Sequence, residues 1–304
     1  MAKMALAIHG GAGTILRSAM TPDLEAVYRD GLEAALKAGW TVLDRGGSAL
    51  DAVDESVTSL EDFPLFNAGR GSVFNHEGKN EMDASIMDGS NLKAGAIAFV
   101  RNVKNPVKLA RLVMERTVHV LLAGDGAIQF AEEMGVELKD NTYFFTEHRW
   151  KQLEDAIAKG KVELDHSAPK PVGTVGAVAC DAKGNLAAAT STGGMTNKKF
   201  GRVGDTPIIG SGNYADEICA VSCTGHGEYF MLGVTAYDVS ARIKYKGVSL
   251  ESAATEAIDH LTAIGGEGGL IAVDSLGNVV MPFNSEGMYR GLIAEGVSTI
   301  DIYN

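Results

Sequence analysis

The sequence predicts a layered α+β fold, and three observations predict it. Strand candidates cluster within each half of the chain. Helical patterns come in pairs rather than alternating one for one with strands, which argues against a doubly wound or barrel fold. Glycine is abundant, 37 of 304 residues against only 7 prolines, so the glycines serve tight turns and close backbone approaches rather than linkers.

The elements follow in order. Met4 to Ile8 is an apolar strand candidate, halted by an expected loop over His9 to Gly13. Thr21 before Pro22 reads as an N-cap with proline at the first helical position, and a helical pattern then runs to Asp44 and stops at Gly46-Gly47. Ser48 caps a second helix to about Leu60. Two short strands are expected around Gly71 to Asn75 and Glu81 to Asp88, joined by a turn at His76 to Lys79. Ala94 to Val100 is almost continuously apolar, as a strand buried on both faces would be. Asn105-Pro106 repeats the cap-plus-proline signal and opens a helix to Arg116; another spans Gly126 to Met134.

From Glu137 to Lys170 the texture turns charged and poorly periodic. It reads as an exposed connector with one helix near Trp150 to Lys159, and the sharpest compositional boundary falls near residue 171. Beyond it stand two similar hairpins. Val175 to Ala179 and Leu186 to Thr190 flank Asp181 to Asn185; Leu270 to Val273 and Val279 to Phe283 flank Asp274 to Asn278. Helical patterns cover Glu228 to Lys244 and Ser249 to Ile264.

Composition excludes several classes. Apolar residues make up 45% and charged residues 22%, too apolar for a disordered chain. The net charge of −12 repels phosphate backbones, so nucleic acid is not an expected partner. Cys180, Cys219 and Cys223 lack zinc-type spacing and read as buried reduced thiols. The apolar stretch near the N-terminus is too short for a signal-peptide core, and no run approaches a membrane span. The expectation is a soluble, cytoplasmic protein with no membrane partner.

The seven histidines are scattered, with no H-E-x-x-H and no EF-hand pattern, so no catalytic metal or other catalytic cofactor is expected. Gly210 to Ala215 satisfies G-x-G-x-x-A with Glu228 downstream, yet Ile218 to Cys223 reads as a strand where dinucleotide binding needs a helix. No G-x-S-x-G elbow exists. What remains is Gly173-Thr174-Val175-Gly176 at the compositional boundary. If the Thr174 hydroxyl attacked the Gly173 carbonyl, the peptide would become an ester and hydrolyse. Thr174 would then carry a free α-amine, whose pKa near 7.7–8.0 suits it as base for its own hydroxyl. Thr190 to Gly194, Gly201 to Asp205 and Thr224 to Gly227 could complete such a site. An Arg and an Asp three apart among glycines could grip the carboxylate and ammonium of an amino acid, and Thr224-Gly225 could offer an oxyanion hole.

With those residues in view, the sequence resembles the plant-type L-asparaginase/isoaspartyl peptidase family of N-terminal-nucleophile hydrolases. The likeness covers nearly the whole chain: IHGGAG at 8–13, LEDFPLFNAGRGSVF at 60–74, MDASIMDG at 82–89, GTVGAVA at 173–179, TSTGG at 190–194, GRVGD at 201–205 and TGHGE at 224–228. The resemblance implies a four-layer αββα sandwich, a single domain over 1–304 that cleaves itself between Gly173 and Thr174 into an α chain of 1–173 and a β chain of 174–304, and a dimer of such αβ units. It implies Thr174 as nucleophile oriented by Thr192, with Arg202 on the substrate α-carboxylate and Asp205 on its α-amino group. Thr224 and Gly225 would form the oxyanion hole, Gly227 would line the substrate pocket, and Asn67 and the His9 to Gly13 loop would serve the site or processing. A structural sodium ion would be held by main-chain carbonyls of Leu60, Glu61, Phe63, Phe66, Ala68 and Arg70. The implied substrates are L-asparagine and β-aspartyl dipeptides. Gly173, rather than Asp, speaks against the glycosylasparaginases and related threonine endopeptidases, and His226 stands where members differ, leaving the choice of substrate open. The alternative is an unprocessed, catalytically silent member acting as a small-molecule binding protein.

Overall fold

In the computed structural model, which describes residues 3–160 and 173–304, the chain opens on strand β1 (Ala5–Gly13). Helix α1 (Pro22–Asp44) starts where the Thr21 hydroxyl accepts from the Leu24 N–H, and α2 (Ala49–Asp62) starts on Ser48 in the same way. Then come β2 (Met82–Asp88), β3 (Lys93–Val100), α3 (Pro106–Arg116), β4 (Leu121–Ala123), α4 (Gly124–Glu133), α5 (Asn141–Phe144) and α6 (Glu147–Ala158). The second half runs β5 (Val175–Cys180), β6 (Leu186–Thr192), β7 (Asn213–Ala215), β8 (Cys219–Gly225), α7 (Gly227–Gly233), α8 (Thr235–Lys246), α9 (Leu250–Ala263), β9 (Gly268–Asp274), β10 (Val279–Val280), β11 (Gly287–Ala294) and β12 (Val297–Tyr303).

The strands form two sheets, one ordered β12-β11-β1-β5-β6-β2-β3-β4 and one ordered β10-β9-β8-β7. Pairing is antiparallel except between β3 and β4. Side chains alternate across each strand, so each sheet serves two layers. Leu6 and Ile8 of β1 face α1 and α2, whereas Ala5 and Ala7 face the second sheet. On β9, Ile271 and Val273 face the first sheet while Leu270 and Ala272 pack on α8 and α9. The order is helices, sheet, sheet, helices: the αββα sandwich. Burial on both faces explains why these strands read as continuous apolar runs. Alanines dominate between the sheets (Ala5, Ala7, Ala188, Ala215, Ala220), small enough to let them approach closely. In the large sheet β5 lies between β1 and β6, so the residue preceding it is framed by strands from both halves of the chain.

Both predicted hairpins form. Asp181 Oδ1 accepts from the Lys183 and Asn185 N–H groups, and Asp274 Oδ1 accepts from those of Leu276 and Asn278. The G-x-G-x-x-A segment leads into β7 and then β8, not into a helix, which removes the dinucleotide reading.

Five expectations are corrected. His9 to Gly13 is strand, not loop: β1 continues through it with a bulge between His9 and Gly11, and its glycines are needed because a Cβ on Gly10 would strike Phe66. Gly71 to Asn75 is not a strand but a short 3-10 turn and one bridge from Phe74 to Asn80. There Asn67, Asn80 and Arg149 side chains satisfy the main chain of Val73, Ser72 and Gly71 in place of a ladder. Asn105 does not cap α3; its amide goes to Asp62, and Glu61 Oε1 accepts from the Val107 N–H instead. The span from Glu137 to Gly160 carries the expected helix, as α6, and is largely exposed, but it is not a mere connector, because Arg149, Leu153 and Ala156 present one buried face, a stripe that its charged member disguised. The boundary near 171 lies outside the described residues. The helix expected over Glu228 to Lys244 is two helices, broken at Val234, which adopts a left-handed φ of 48°. Strands β11 and β12 were not foreseen. Gly287, Arg290 and Gly291 blur the alternation of β11, and Gly291 is required because a Cβ there would meet Leu36 at 2.7 Å.

Candidate active site

Thr174 stands immediately before β5, with 9% of its surface exposed. Its hydroxyl donates to Thr192 Oγ1 at 3.1 Å, and that oxygen also accepts the Gly194 N–H at 3.0 Å. Thr190 and Thr192 on β6, and Ser222 and Thr224 on β8, sit two apart, so strand alternation turns all four hydroxyls to the same sides of their strands. Gly173 presses on the glycine-rich end of β1: a Cβ on Gly11 would lie 2.4 Å from the Gly173 nitrogen, and Gly11 has a φ of 121°. A Cβ on Gly173 would in turn lie 3.0 Å from Thr224 Oγ1, which accepts the Ala12 N–H at 3.3 Å. Gly225, next in line, has a φ of 144°.

The remaining predicted residues join this centre through glycines. A Cβ on Gly194 would lie 3.6 Å from Arg202 Nη1, and one on Gly227 would lie 2.7 Å from Asp205 Oδ1 and 2.9 Å from Arg202 Nη2. Thr192, Gly194, Arg202, Gly227 and Asp205 thus form a continuous wall. Burial pushes the Asp205 carboxyl up to about 7, against the pull of Arg202, and its Oδ2 has no hydrogen-bond partner. An unsatisfied buried carboxylate oxygen beside a half-buried guanidinium is suited to a ligand that brings an ammonium. Asn67 holds the wall from behind: its Nδ2 donates to the Gly194 carbonyl and its Oδ1 accepts the Val73 N–H.

Glu228 is a site residue that the sequence reading weighed only as the acid of a dinucleotide motif. Its carboxylate takes both donors of the Arg202 fork, from Nε at 2.9 Å and Nη2 at 2.8 Å. Burial alone would raise its pKa, but the Arg202 bonds and charge bring it below the ordinary range. His226 flanks this pair, packed edge-on against Tyr229, and burial lowers its pKa. Asp83 and Lys198, neither assigned from sequence, are buried behind the wall; Lys198 Nζ donates to the Glu81 carbonyl and Asp83 Oδ1 accepts the Phe99 N–H.

The loop from Leu60 to Arg70 closes on itself. Leu60, Phe66 and Ala68 carbonyls accept from Phe63, Ala68 and Gly71, and the Pro64 and Phe66 carbonyls both face the α-carbon of Gly71, where a Cβ would sit 2.7 and 2.1 Å away. Main-chain oxygens turned into a glycine-floored cradle are the donor chemistry a hard cation takes. The Glu61 side chain is spent elsewhere, on Val107 and Ser191, with burial raising its pKa to about 8. Among the described residues, no group of three His, Cys, Asp or Glu side chains could hold a metal ion, and no helix is long and apolar enough to cross a membrane.

Comparison with known proteins adds to this geometry. A family model described as asparaginase matches residues 2–301. An isoaspartyl peptidase of Salmonella typhimurium is 53% identical over 297 residues, covering 95% of both chains. One from Escherichia coli is 52% identical, covering 95% of this chain and 92% of its own. A plant-type L-asparaginase of Pyrococcus abyssi is 44% identical over 305 residues, covering 97% and 98%.

Proposed function

The chain belongs to the asparaginase family, and from that premise we propose that it is a self-cleaving threonine hydrolase acting on β-aspartyl dipeptides and L-asparagine. Membership makes its sandwich one of the N-terminal-nucleophile type. The observation that carries the reading is the Thr174 hydroxyl, buried at the head of a central strand and bonded at 3.1 Å to Thr192, directly behind a Gly173 pressed against Gly11.

In the first reaction Thr174 Oγ1 attacks the Gly173 carbonyl; the C–N bond breaks, and water hydrolyses the ester to leave chains 1–173 and 174–304. The freed α-amine then takes the proton of the Thr174 hydroxyl as it attacks the substrate β-carbonyl. The Thr224 hydroxyl and Gly225 N–H face the oxyanion. Ammonia or the amino component leaves with that proton, and water, deprotonated by the same amine, releases aspartate from the β-aspartyl ester. Arg202 grips the α-carboxylate and Asp205 the α-ammonium, with Gly227 leaving room between them. The Leu60, Glu61, Phe63, Phe66, Ala68 and Arg70 carbonyls hold a structural sodium ion that takes no part in the chemistry, and the working assembly is a dimer of αβ units.

A substrate carboxylate has to compete with Glu228 for the Arg202 fork. Glu228→Gln should therefore lower KM severalfold at unchanged kcat in steady-state hydrolysis of a β-aspartyl dipeptide; a raised KM would show that Glu228 holds Arg202 in place instead. The proposal as a whole is tested by denaturing intact mass spectrometry of fresh and incubated protein. Two species dividing at Gly173/Thr174 are expected. A persistent 31.9 kDa chain would overturn self-cleavage and favour the silent binding protein.

A further inference from the structure

The His9 ring lies fully buried between the two sheets, where the β1–β5 ladder ends. The last pair of that ladder is His9 with Gly176; beyond it β1 bulges and meets Gly173 at Gly11 without continuing the ladder. The Thr174 carbonyl would lose its partner there, but His9 Nδ1 lies 2.9 Å from it. On the far side of the ring, Nε2 is 2.8 Å from Ser222 Oγ, which is 2.7 Å from Thr190 Oγ1, which accepts from Asn213 Nδ2 at 3.1 Å.

Chemistry allows one direction for this chain of bonds. A carbonyl only accepts, so His9 Nδ1 carries the proton. Burial holds the ring neutral, with a pKa of about 3, so Nε2 is bare and Ser222 donates to it. Ser222 then accepts from Thr190, and Thr190 accepts from an amide group that can only donate. The Asn213 Nδ2 also reaches the Ser85 carbonyl at 3.4 Å, while its Oδ1 is buried with no hydrogen-bond partner. The competing acceptors, the Gly212 and Ala189 carbonyls, are farther, at 3.4 and 3.5 Å. In water a neutral imidazole favours the proton on Nε2; here the Thr174 carbonyl at Nδ1, with Ser222 free to donate to Nε2, imposes the other tautomer.

We propose that His9, its Nδ1 proton fixed on the Thr174 carbonyl and its Nε2 capped by the Ser222 hydroxyl, is the positioning residue for the N-terminal threonine. This rests on the reading of Thr174 as nucleophile. Once the Gly173–Thr174 bond is cut, Thr174 has no tether on its amino side. Its carbonyl is then the one main-chain point that can fix how the α-amine faces the hydroxyl. His9 holds that carbonyl, and the hydroxyl is held separately by Thr192. His9 itself takes no proton from the substrate or nucleophile.

Two measurements test it. Nitrogen-15 spectra of histidine-labelled enzyme should show one ring that stays neutral at pH 5 with its proton on Nδ1, and Ser222→Ala should leave the proton there because the Thr174 carbonyl still requires it. A wild-type protein with every neutral ring protonated on Nε2 would overturn the relay, whatever the variants do. In kinetics normalised to the cleaved fraction, His9→Asn places an amide donor where Nδ1 was and should keep kcat within about tenfold. His9→Gln reaches the Nε2 position instead and should lose roughly 10²-fold in kcat at unchanged KM, as misplacement of a reacting group does. Equal kcat in the two variants, or a change confined to KM or thermal stability, would refute positioning. The spectrum of Thr174→Ala separates this proposal from the one beneath it. The alanine keeps the carbonyl, so the Nδ1 tautomer should persist there; its loss would sink the relay, while hydrolysis by that variant would sink the nucleophile and leave the tautomer standing.

Discussion

Thr174→Ala should leave the chain in one piece and hydrolytically inert. The same oxygen is asked to open the Gly173 peptide and to attack the substrate, so one substitution removes both reactions. The loss in kcat should be at least roughly 10⁴-fold, the scale seen when a nucleophile that works as a unit with its base is deleted. Folding should be nearly untouched, since the hydroxyl's bond to Thr192 contributes only about 1 kcal/mol. Intact mass, a dipeptide assay and a melting curve on one preparation are sufficient. A cleaved product, or residual turnover near wild type, would mean another group attacks. Thr174→Ser is the matching control: it keeps the hydroxyl but loses the branch that stiffens the side chain, so it should cleave and turn over more slowly rather than stop.

Much of the fold was legible because local signals and tertiary demands agree. Thr21-Pro22 and Ser48 are caps in sequence and in structure, and the D-x-x-G-N turns use one Asp carboxylate to collect two N–H groups each. The misread elements are those where a side chain distant in sequence replaces a local partner. Glu61 takes the N–H that Asn105 was expected to cap, and Arg149 reaches the Gly71 carbonyl across 78 positions. Nothing in a window of neighbours can reveal such bonds. The glycines after His9 misled for another reason: a loop and a strand pressed against Phe66 and Gly173 demand the same residue.

The site divides in the same way. Thr174, Arg202 and Asp205 are legible as chemistry, each type matching a group it could act on. Apart from Thr192 and Asn67, the residues that hold them were not. Asn67 reads as a site residue but spends its amide on the Gly194 carbonyl and the Val73 N–H, and Glu228 pairs with Arg202 across 26 positions. Thr190 was read only as part of the segment to Gly194, and Ser222 and Asn213 look like ordinary strand residues. One signal was present: hydroxyls two apart on β8, separated by cysteine, and on β6, where Ser191 between them blurs it, mark a polar stripe on strands otherwise apolar.

Asp205 connects function to stability, and Asp205→Asn should separate the two. Its carboxyl is buried and titrates near 7, about three units above an unfolded aspartate. Between roughly pH 4 and 7 the unfolded chain has released this proton while the folded chain keeps it, so stability falls as pH rises through that window and the full penalty stands above 7. At about 1.4 kcal/mol per unit the penalty approaches roughly 4 kcal/mol. The asparagine variant carries no such charge, so its stability relative to wild type should climb from pH 4.5 to pH 8 in denaturant titrations, whatever fixed cost the amide adds. A difference that stays flat would mean Asp205 ionises freely in the fold. The same substitution removes the charge proposed to meet the substrate ammonium, and kcat/KM should fall by roughly 10²-fold or more, as when one partner of a buried charged pair is lost. In wild type, kcat/KM should drop below pH 7 with two protons involved, one on Asp205 and one on the Thr174 amine; in Asp205→Asn one should remain. On the proposed role the carboxylate is costly while the site is empty because its partner would arrive with the substrate, and a variant that is both more stable and as active would break that link.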